Sequence, residues 1–411
     1  MKRHPIVSSE ILEKQKNECA IIKRMSQEFL LSSHKNMLAE RIAPLIKWAG
    51  GKESELKHIL PNLPNKFDRY FEPFVGGGAV YFAITASEMF INDKSTELIT
   101  LYELVKNGDK EFFKRLTEIN KYWRLLEDIV ENNASEFLDI YKRSSPANVS
   151  LLNIKDRVTE FVLEHHEEFN GILKASFNLD IDNFVGEVIR NTTNKINRMR
   201  VIEREKGNLS QKDILSNVEG ALKSAFYMHF RHLYNKKQKY GINKSFGVAI
   251  FYFVREYCYA SMFRYNLKGE FNVPYGGIQY NRKDFLKKIN AMQSDSCRVH
   301  FRQTKIFNDD FEEFLKQNKP TKKDFIFFDP PYDTDFSTYA KNEFGKQDQI
   351  RLANYLCKTK AQFMLIIKRT NFILDLYSGH DFNIRSFDKK YVVSFQDRND
   401  KNAEHLLITN Y

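Results

Sequence analysis

An apolar, strand-like run from Phe325 to Phe328 ends in Asp329-Pro330-Pro331-Tyr332. Two prolines in succession can neither continue a strand nor enter a helix interior, so the backbone here is stiffly held. Such a loop can present fixed hydrogen-bond acceptors to a reacting group. The amino nitrogen of adenine is a poor nucleophile because its lone pair is delocalised into the ring. If the Asp329 carboxylate and the Pro330 carbonyl accept its two protons, the nitrogen shifts toward a tetrahedral nucleophile. Those bonds strengthen as positive charge develops, which is differential stabilisation of the transition state. Tyr332 supplies an aromatic face for a base turned out of its stack. Asp329, Pro330 and Tyr332 are the candidate catalytic group; the plain alternative is a chance DPPY turn.

A second constellation lies upstream in FEPFVGGGAVYF, residues 71–82, with Phe74 and Gly76 at its turn. Glycines there let the backbone approach a ligand closely and point N–H groups at it. Asp93 follows Gly78 by 15 positions, at the tip of the next short strand, where a carboxylate can accept both hydroxyls of a ribose. Alone, each feature has an ordinary structural reading: a connecting turn, and a residue at a helix start.

The elements that must position these residues read as strand (70–74), glycine turn, helical stretch (79–86), strand (89–92) and acidic residue, the order of a nucleotide-binding βαβ unit. Residues 96–260 read mainly as helices. Strands at 325–328 and 363–367 flank a helix containing 349–356, and 391–395 with 405–409 read as a closing hairpin. Residues 1–40 read as one or two helices, with Ile22, Met25 and Phe29 at helical spacing. The expected fold is α/β, a Rossmann-like sheet split by a mainly helical insertion. The expected division is an extension at 1–42, a catalytic domain at 43–115 and 291–411, and an insertion with target recognition at 116–290.

The chain of 411 residues carries a net charge of +11 with pI near 9.1. Its distribution is more telling than its total. Residues 131–190 hold 6 Lys/Arg against 11 Asp/Glu, whereas residues 191–290 hold 19 against 7, interleaved with Phe, Tyr and Asn. A one-sign stretch with aromatics suits a nucleic-acid face. Its densest part, RHLYNKKQKYGINK (231–244), makes Lys236, Lys237 and Lys239 candidate phosphate contacts; a solvated helical bundle is the alternative. Four scattered cysteines without a CxxC pair argue against a disulfide framework or a zinc site, and no metal is expected. Cys357, mid-helix, and Cys297, in a polar linker, are poorly placed as nucleophiles. His165 and His166 read as part of a solvated polar face. The longest aliphatic run, 363–367, is too short to span a bilayer, and no secretory signal is evident, so a cytoplasmic protein without membrane contact is expected.

Four stretches, in order, resemble the Dam-like family of DNA adenine methylases, the D12 class or α group: PLIKWAGGK (44–52), FEPFVGGGAVYF, FRYNLKGEFNVPYG (263–276) and FFDPPYDTDFSTY. The closing AEHLLITNY is similar as well. The resemblance implies an S-adenosylmethionine-dependent N6-adenine methyltransferase acting on double-stranded DNA, either an orphan or paired with a restriction endonuclease that acts separately. It implies cofactor contacts at Trp48, Lys52, Asp93 and Asp329, beside Phe74 and Gly76. It implies base reading by Lys47 and Arg264 with Asn266 in the recognition stretch, and Tyr259 against the duplex. Where the family commonly reads Tyr-Asn-Gly before the recognition arginine, this chain has Tyr259-Ala260-Ser261, a departure that bears on the family's usual GATC target. An N4-cytosine or RNA N6-adenine methyltransferase, and a catalytically silent DNA-binding module, are the competing readings.

Overall fold

The computed structural model describes residues 42–48, 50–143, 151–262, 264–332, 344–390 and 402–411. The helices expected at 1–40 and the hairpin arm expected at 391–395 lie outside those residues.

Seven strands form one sheet: β1 (Arg69–Glu72), β2 (Glu88–Asn92), β3 (Thr304–Phe307), β4 (Phe325–Phe328), β5 (Gln362–Lys368), β6 (Asn383–Lys390) and β7 (Asn402–Thr409). Their spatial order is β3-β2-β1-β4-β5-β7-β6. The first five run parallel; β7 is antiparallel to β5 and to β6. β4 (FIFF) and the body of β5 (Phe363 to Ile367) are apolar throughout because both faces of a parallel sheet are covered. Phe325, Phe327, Met364 and Ile366 face one core, while Ile326, Phe328, Leu365 and Ile367 face the other, as the two-residue period of a strand requires. The β6 sequence, NIRSFDKK, is polar because it forms an edge.

From β1 the chain first builds outward through β2 and β3, then crosses to β4 on the other side of β1. The order therefore reverses between β1 and β4. Ligands of open α/β sheets bind in the crevice outside the carboxyl ends of the strands at such a point. Both candidate loops, 73–78 and 329–332, leave the sheet there.

Between β2 and β3 lie α1 (Thr96–Asn107), α2 (Lys110–Asn132), α3 (Ala134–Arg143), α4 (Leu151–Glu164), α5 (His166–Leu173), α6 (Ile181–Lys206), α7 (Gln211–Asn235), α8 (Lys244–Tyr257), α9 (Phe285–Met292) and α10 (Asp295–Arg302). Side-chain caps from Asp109, Asp180, Ser210 and Asn243 start α2, α6, α7 and α8. On the second face of the sheet are α11 (Phe311–Asn318), α12 (Lys346–Lys358) and α13 (Asn371–Ser378). The boundary expected at residue 115 falls inside α2, and the helices share one hydrophobic core with a face of the sheet.

Four local expectations need correction. The stretch 79–86 is no α-helix but a single 3-10 turn, Tyr81–Ala83, because Tyr81 and Phe82 are drawn into an aromatic cluster with Tyr102, His300 and Phe301. Cys297 sits buried within α10 rather than in a linker. His165 is not simply solvated, since its ring bonds Glu136 at 2.7 Å and Glu168 at 2.8 Å. The partner of the closing strand is β6 at 383–390, earlier than the arm read from the sequence.

Candidate active site

The site is built where two rigid loops meet a third segment, residues 44–52. Gly76 and Gly78 take φ of +48° and +74°, conformations that L side chains rarely adopt. A Cβ at Gly76 would lie 2.9 Å from Trp48 Cδ1, and one at Gly77 would lie 2.8 Å from the Ile46 carbonyl. The glycines are thus needed for the 46–48 backbone and the Trp48 ring to close over the turn. Asp93 locks the turn from the other side: one carboxylate oxygen accepts from Gly76 N–H at 3.0 Å, the other from Ser95 N–H at 2.9 Å. Burial raises the Asp93 carboxyl above its ordinary range, and these two N–H groups act against that rise.

Asn92, unmarked by the sequence reading, holds the neighbouring backbone by donating to the carbonyls of Pro73 and Asp309. Glu72, just before the turn, is buried and accepts from the Tyr70 hydroxyl at 2.6 Å. Burial pushes its carboxyl well above the usual range, and the nearby charges of Asp329 and Asp93 add to the effect. Phe74 packs against Phe311 and Phe344, with ring centroids 5.4 Å away in each case.

Lys52 is 2% exposed, and its ammonium reaches Asp329 Oδ1 at 2.5 Å. It also donates to the Tyr332 hydroxyl at 2.8 Å and to the Gly50 carbonyl at 2.9 Å. A cation buried this deeply must be paired, and here one lysine joins the 44–52 segment to the DPPY loop. The loop is fixed from below by Gln349 on α12, fully buried, which donates to the Pro331 carbonyl at 2.9 Å. Behind Tyr332 lies a buried pair, His405 on β7 with Glu55 at 3.0 Å; the His405 ring meets Tyr332 edge to face. No motif signals Gln349 or Glu55 in the sequence, and AEHLLITNY marks His405 only as part of a closing strand.

Trp48, Lys52, Gly76, Asp93, Asp329 and Tyr332 thus gather at the carboxyl edge of β1 and β4, with Phe74 beside them. Pro330 is buried within the loop. The Trp48 ring has a further partner: the Arg255 guanidinium lies 4.8 Å from its centroid.

The recognition stretch is a short hairpin, paired antiparallel at Tyr265 and Phe271. Asn266 caps its turn, its side chain accepting from Lys268 N–H and Glu270 N–H. Arg264 is exposed and donates to Asn272 Oδ1 at 3.0 Å; Tyr259 is 41% exposed, and the Lys47 side chain is exposed. One stripe of α7, at four-residue spacing, holds this hairpin. Tyr227 and Arg231 donate to the Val273 carbonyl, and the Asn235 side chain pairs with both backbone groups of Phe271. Lys236 pairs with Glu270 at 2.8 Å, Lys237 with Glu97, and Lys239 donates to the Tyr240 hydroxyl. The basic segment therefore lies against the hairpin, but two of its three candidate lysines have acidic partners.

Among the described residues there is no cluster of three His, Cys, Asp or Glu side chains that could hold a metal. No helix among them is long and apolar enough to cross a membrane.

Known proteins share this arrangement of sequence over most of its length. The chain is 23% identical over 373 residues to the type II methyltransferase M.CviBI of Paramecium bursaria Chlorella virus NC1A, covering 90% of this chain and 99% of that one. It is 26% identical over 393 residues to the type II methyltransferase M.MjaIII of Methanocaldococcus jannaschii, again 90% and 99% of the two chains. The DNA adenine methylase of Haemophilus influenzae is 22% identical over 352 residues, 82% of this chain and 84% of that one. The profile of the D12 class N6 adenine-specific DNA methyltransferases matches residues 48–393. With a parallel sheet opening at β1 and β4, and a DPPY loop whose carboxylate is held at that opening, the chain belongs to the D12 class of N6 adenine-specific DNA methyltransferases.

Proposed function

We propose that the crevice at the carboxyl ends of β1 and β4 takes S-adenosylmethionine, and that the DPPY loop receives one adenine turned out of a DNA duplex. The residues present fit that donor. The glycine turn leaves room for backbone approach, a half-buried carboxylate at Asp93 suits ribose hydroxyls, and a buried cation at Lys52 suits an amino-acid carboxylate. Trp48 offers an aromatic face to a sulfonium, though one cation, Arg255, already lies over that ring. When bound, the donor supplies an electrophilic methyl group. The chain's own residues do the rest: Asp329 and the Pro330 carbonyl accept the amino protons, which prepares the nitrogen as a nucleophile. Tyr332 holds the base by stacking, and Gln349 and Lys52 hold the loop.

The observation that carries this reading is the 2.5 Å contact between Lys52 and Asp329, which joins the donor segment to the catalytic loop. Lys47, Tyr259, Arg264 and Asn266 form the duplex-facing surface, and 116–290 serves as the recognition region. Lys239, together with Lys236 and Lys237 where their acidic partners release them, supplements it on the phosphates. Arg264→Ala is expected to relax specificity at one position, costing about 1–3 kcal/mol. The test is mass spectrometry of digested product DNA alongside calorimetry with S-adenosylmethionine. N6-methyladenine and donor binding that is weakened in Asp93→Ala support the reading; methylcytosine, or wild-type donor affinity in that variant, overturns it. A restriction endonuclease of the same specificity, acting separately, is the partner this activity would protect against.

A further inference from the structure

Consecutive residues at the end of α8 grip the backbone of Lys47 from both sides. Arg255, 1% exposed, donates to the Lys47 carbonyl at 3.0 Å. Glu256, 2% exposed, accepts from the Lys47 N–H at 3.4 Å. The same guanidinium reaches the Met262 carbonyl at 3.4 Å, in the loop that leads into the recognition hairpin. It also lies over Trp48 in the donor segment. Glu256 is tied outward in turn: its carboxylate pairs with Lys288 at 2.8 Å, and its carbonyl accepts from Lys283.

One buried cation therefore spans two carbonyls that belong to different tasks, one beside the donor pocket and one beside the bases to be read. Leaving a buried guanidinium short of an acceptor costs several kcal/mol, far more than a small backbone shift. When the hairpin docks on DNA and fixes Met262, the cheaper response is for Lys47 and Trp48 to keep their place around Arg255. We propose that Arg255 and Glu256 are positioning residues that couple filling of the methyl-donor pocket to engagement of target bases by the recognition hairpin. This rests on the site reading above, with the donor at Trp48 and the duplex at Arg264.

Coupling between two ligands is reciprocal and is measured as a ratio of affinities. The probe is S-adenosylhomocysteine, titrated into the full chain alone, with a duplex carrying the sequence it methylates, and with a duplex lacking it. Wild-type protein is expected to bind the probe at least about fivefold tighter on the methylated sequence than alone, within the ordinary range of such couplings. Arg255→Lys keeps the charge but loses the planar fork that reaches two carbonyls. Its ratio should fall to within about twofold of unity, each affinity with DNA being referred to that same variant's affinity without it. Glu256→Gln, which keeps an acceptor for Lys47 but loses the charge opposite Lys288, should lower the ratio in part; it decides the matter if Arg255→Lys does not fold. A merely structural role would lower the thermal midpoint and leave the ratio unchanged, and that result overturns the proposal. So does a wild-type ratio of one. No probe binding by wild-type protein at all would instead sink the donor-site reading itself.

Discussion

A lysine at the carboxyl edge of the sheet and the lysines of the turn that follows α7 differ in what surrounds them, and the difference separates chemistry from charge count. Lys52 is almost wholly buried, with its three donors directed at a carboxylate, a hydroxyl and a carbonyl of the crevice between β1 and β4. Lys236 and Lys237, in the most basic stretch of the chain, are partly exposed and paired with Glu270 and Glu97. The buried cation at the sheet's carboxyl edge joins two loops. The dense cluster is tied down piecemeal, Lys236 to the hairpin at Glu270 and Lys237 and Lys244 to Glu97 and Glu103 of α1. A run of one sign along the sequence is therefore a poor measure of the field a protein presents, because folding can bring its counter-charges from distant segments.

The largest effect is expected on the stability of the whole fold. Burial drops the His229 ring in α7 to about 3 and the His300 ring behind the glycine turn to about 4. Both folded values lie below the ordinary histidine range. Their neutral forms therefore favour folding fully above about pH 6.5, and that contribution is lost as pH falls toward 4. At about 1.4 kcal/mol per pKa unit, the two together amount to several kcal/mol. Thermal unfolding followed from pH 7 to pH 4 should show one steeply falling transition. Two separate transitions would mean that the sheet and helical regions are independent.

The next effects lie at the sheet edge. Asp329→Ala should lower single-turnover methyl transfer by about 10²–10³-fold, the range for losing one preorganised electrostatic group. A loss of less than tenfold would remove Asp329 from the catalytic role. Asp93→Ala should weaken donor binding by about 1.5–3 kcal/mol, as for a hydrogen bond to a charged group, measured by calorimetry. In the turn after α7 the expected change is smaller. Replacing Lys236, Lys237 and Lys239 together by Gln should flatten the log–log salt dependence of DNA binding by no more than about 0.9, one phosphate contact. A drop near three times that would show the two ion-paired lysines turning to the duplex. The smallest effect concerns Ser261, which with Ala260 takes φ of +53° before the hairpin. Left-handed backbone at a non-glycine costs about 1–2 kcal/mol, partly offset by glycine's extra unfolded-state freedom, so Ser261→Gly should stabilise by up to about 1 kcal/mol.

Much of the sheet edge was legible in the sequence because its signals are local. FIFF followed by DPPY, a glycine turn followed by Asp93, and the strand at 363–367 all appear in the fold where expected. β3 was missed: TKIF is short, and one of its residues is charged, as suits an edge strand. Gln349, Glu55, His405 and Arg255 were missed for another reason. Arg255 and the Glu55–His405 pair reach segments more than 200 residues away, and Gln349 reaches back across a loop to Pro331, so nothing beside them betrays the partner. The grip of α7 on the hairpin was hidden likewise; Tyr227, Arg231 and Asn235 form a visible four-residue spacing, but the strand they hold lies about 40 residues on. The sequence did place the basic cluster next to the recognition stretch, but it had no means of showing that Glu97 and Glu270 would meet it.

The hydrophobic core that runs without a break from one face of the sheet into the helices also bears on how such an enzyme can change its target. Trp123, Phe226 and Phe253 of the helices belong to the same packed cluster as Tyr70, Phe325 and Met364 of the sheet. A block of helices exchanged from a relative would have to re-match that whole boundary, where errors of a methylene are felt. New sequence preferences should therefore arise by point changes at solvent-facing hairpin positions such as Arg264 and Lys268, not by shuffling of recognition modules. A library confined to the hairpin's exposed residues would yield folded variants with altered targets, whereas chimeras joined near residues 115 and 290 would yield mostly insoluble protein.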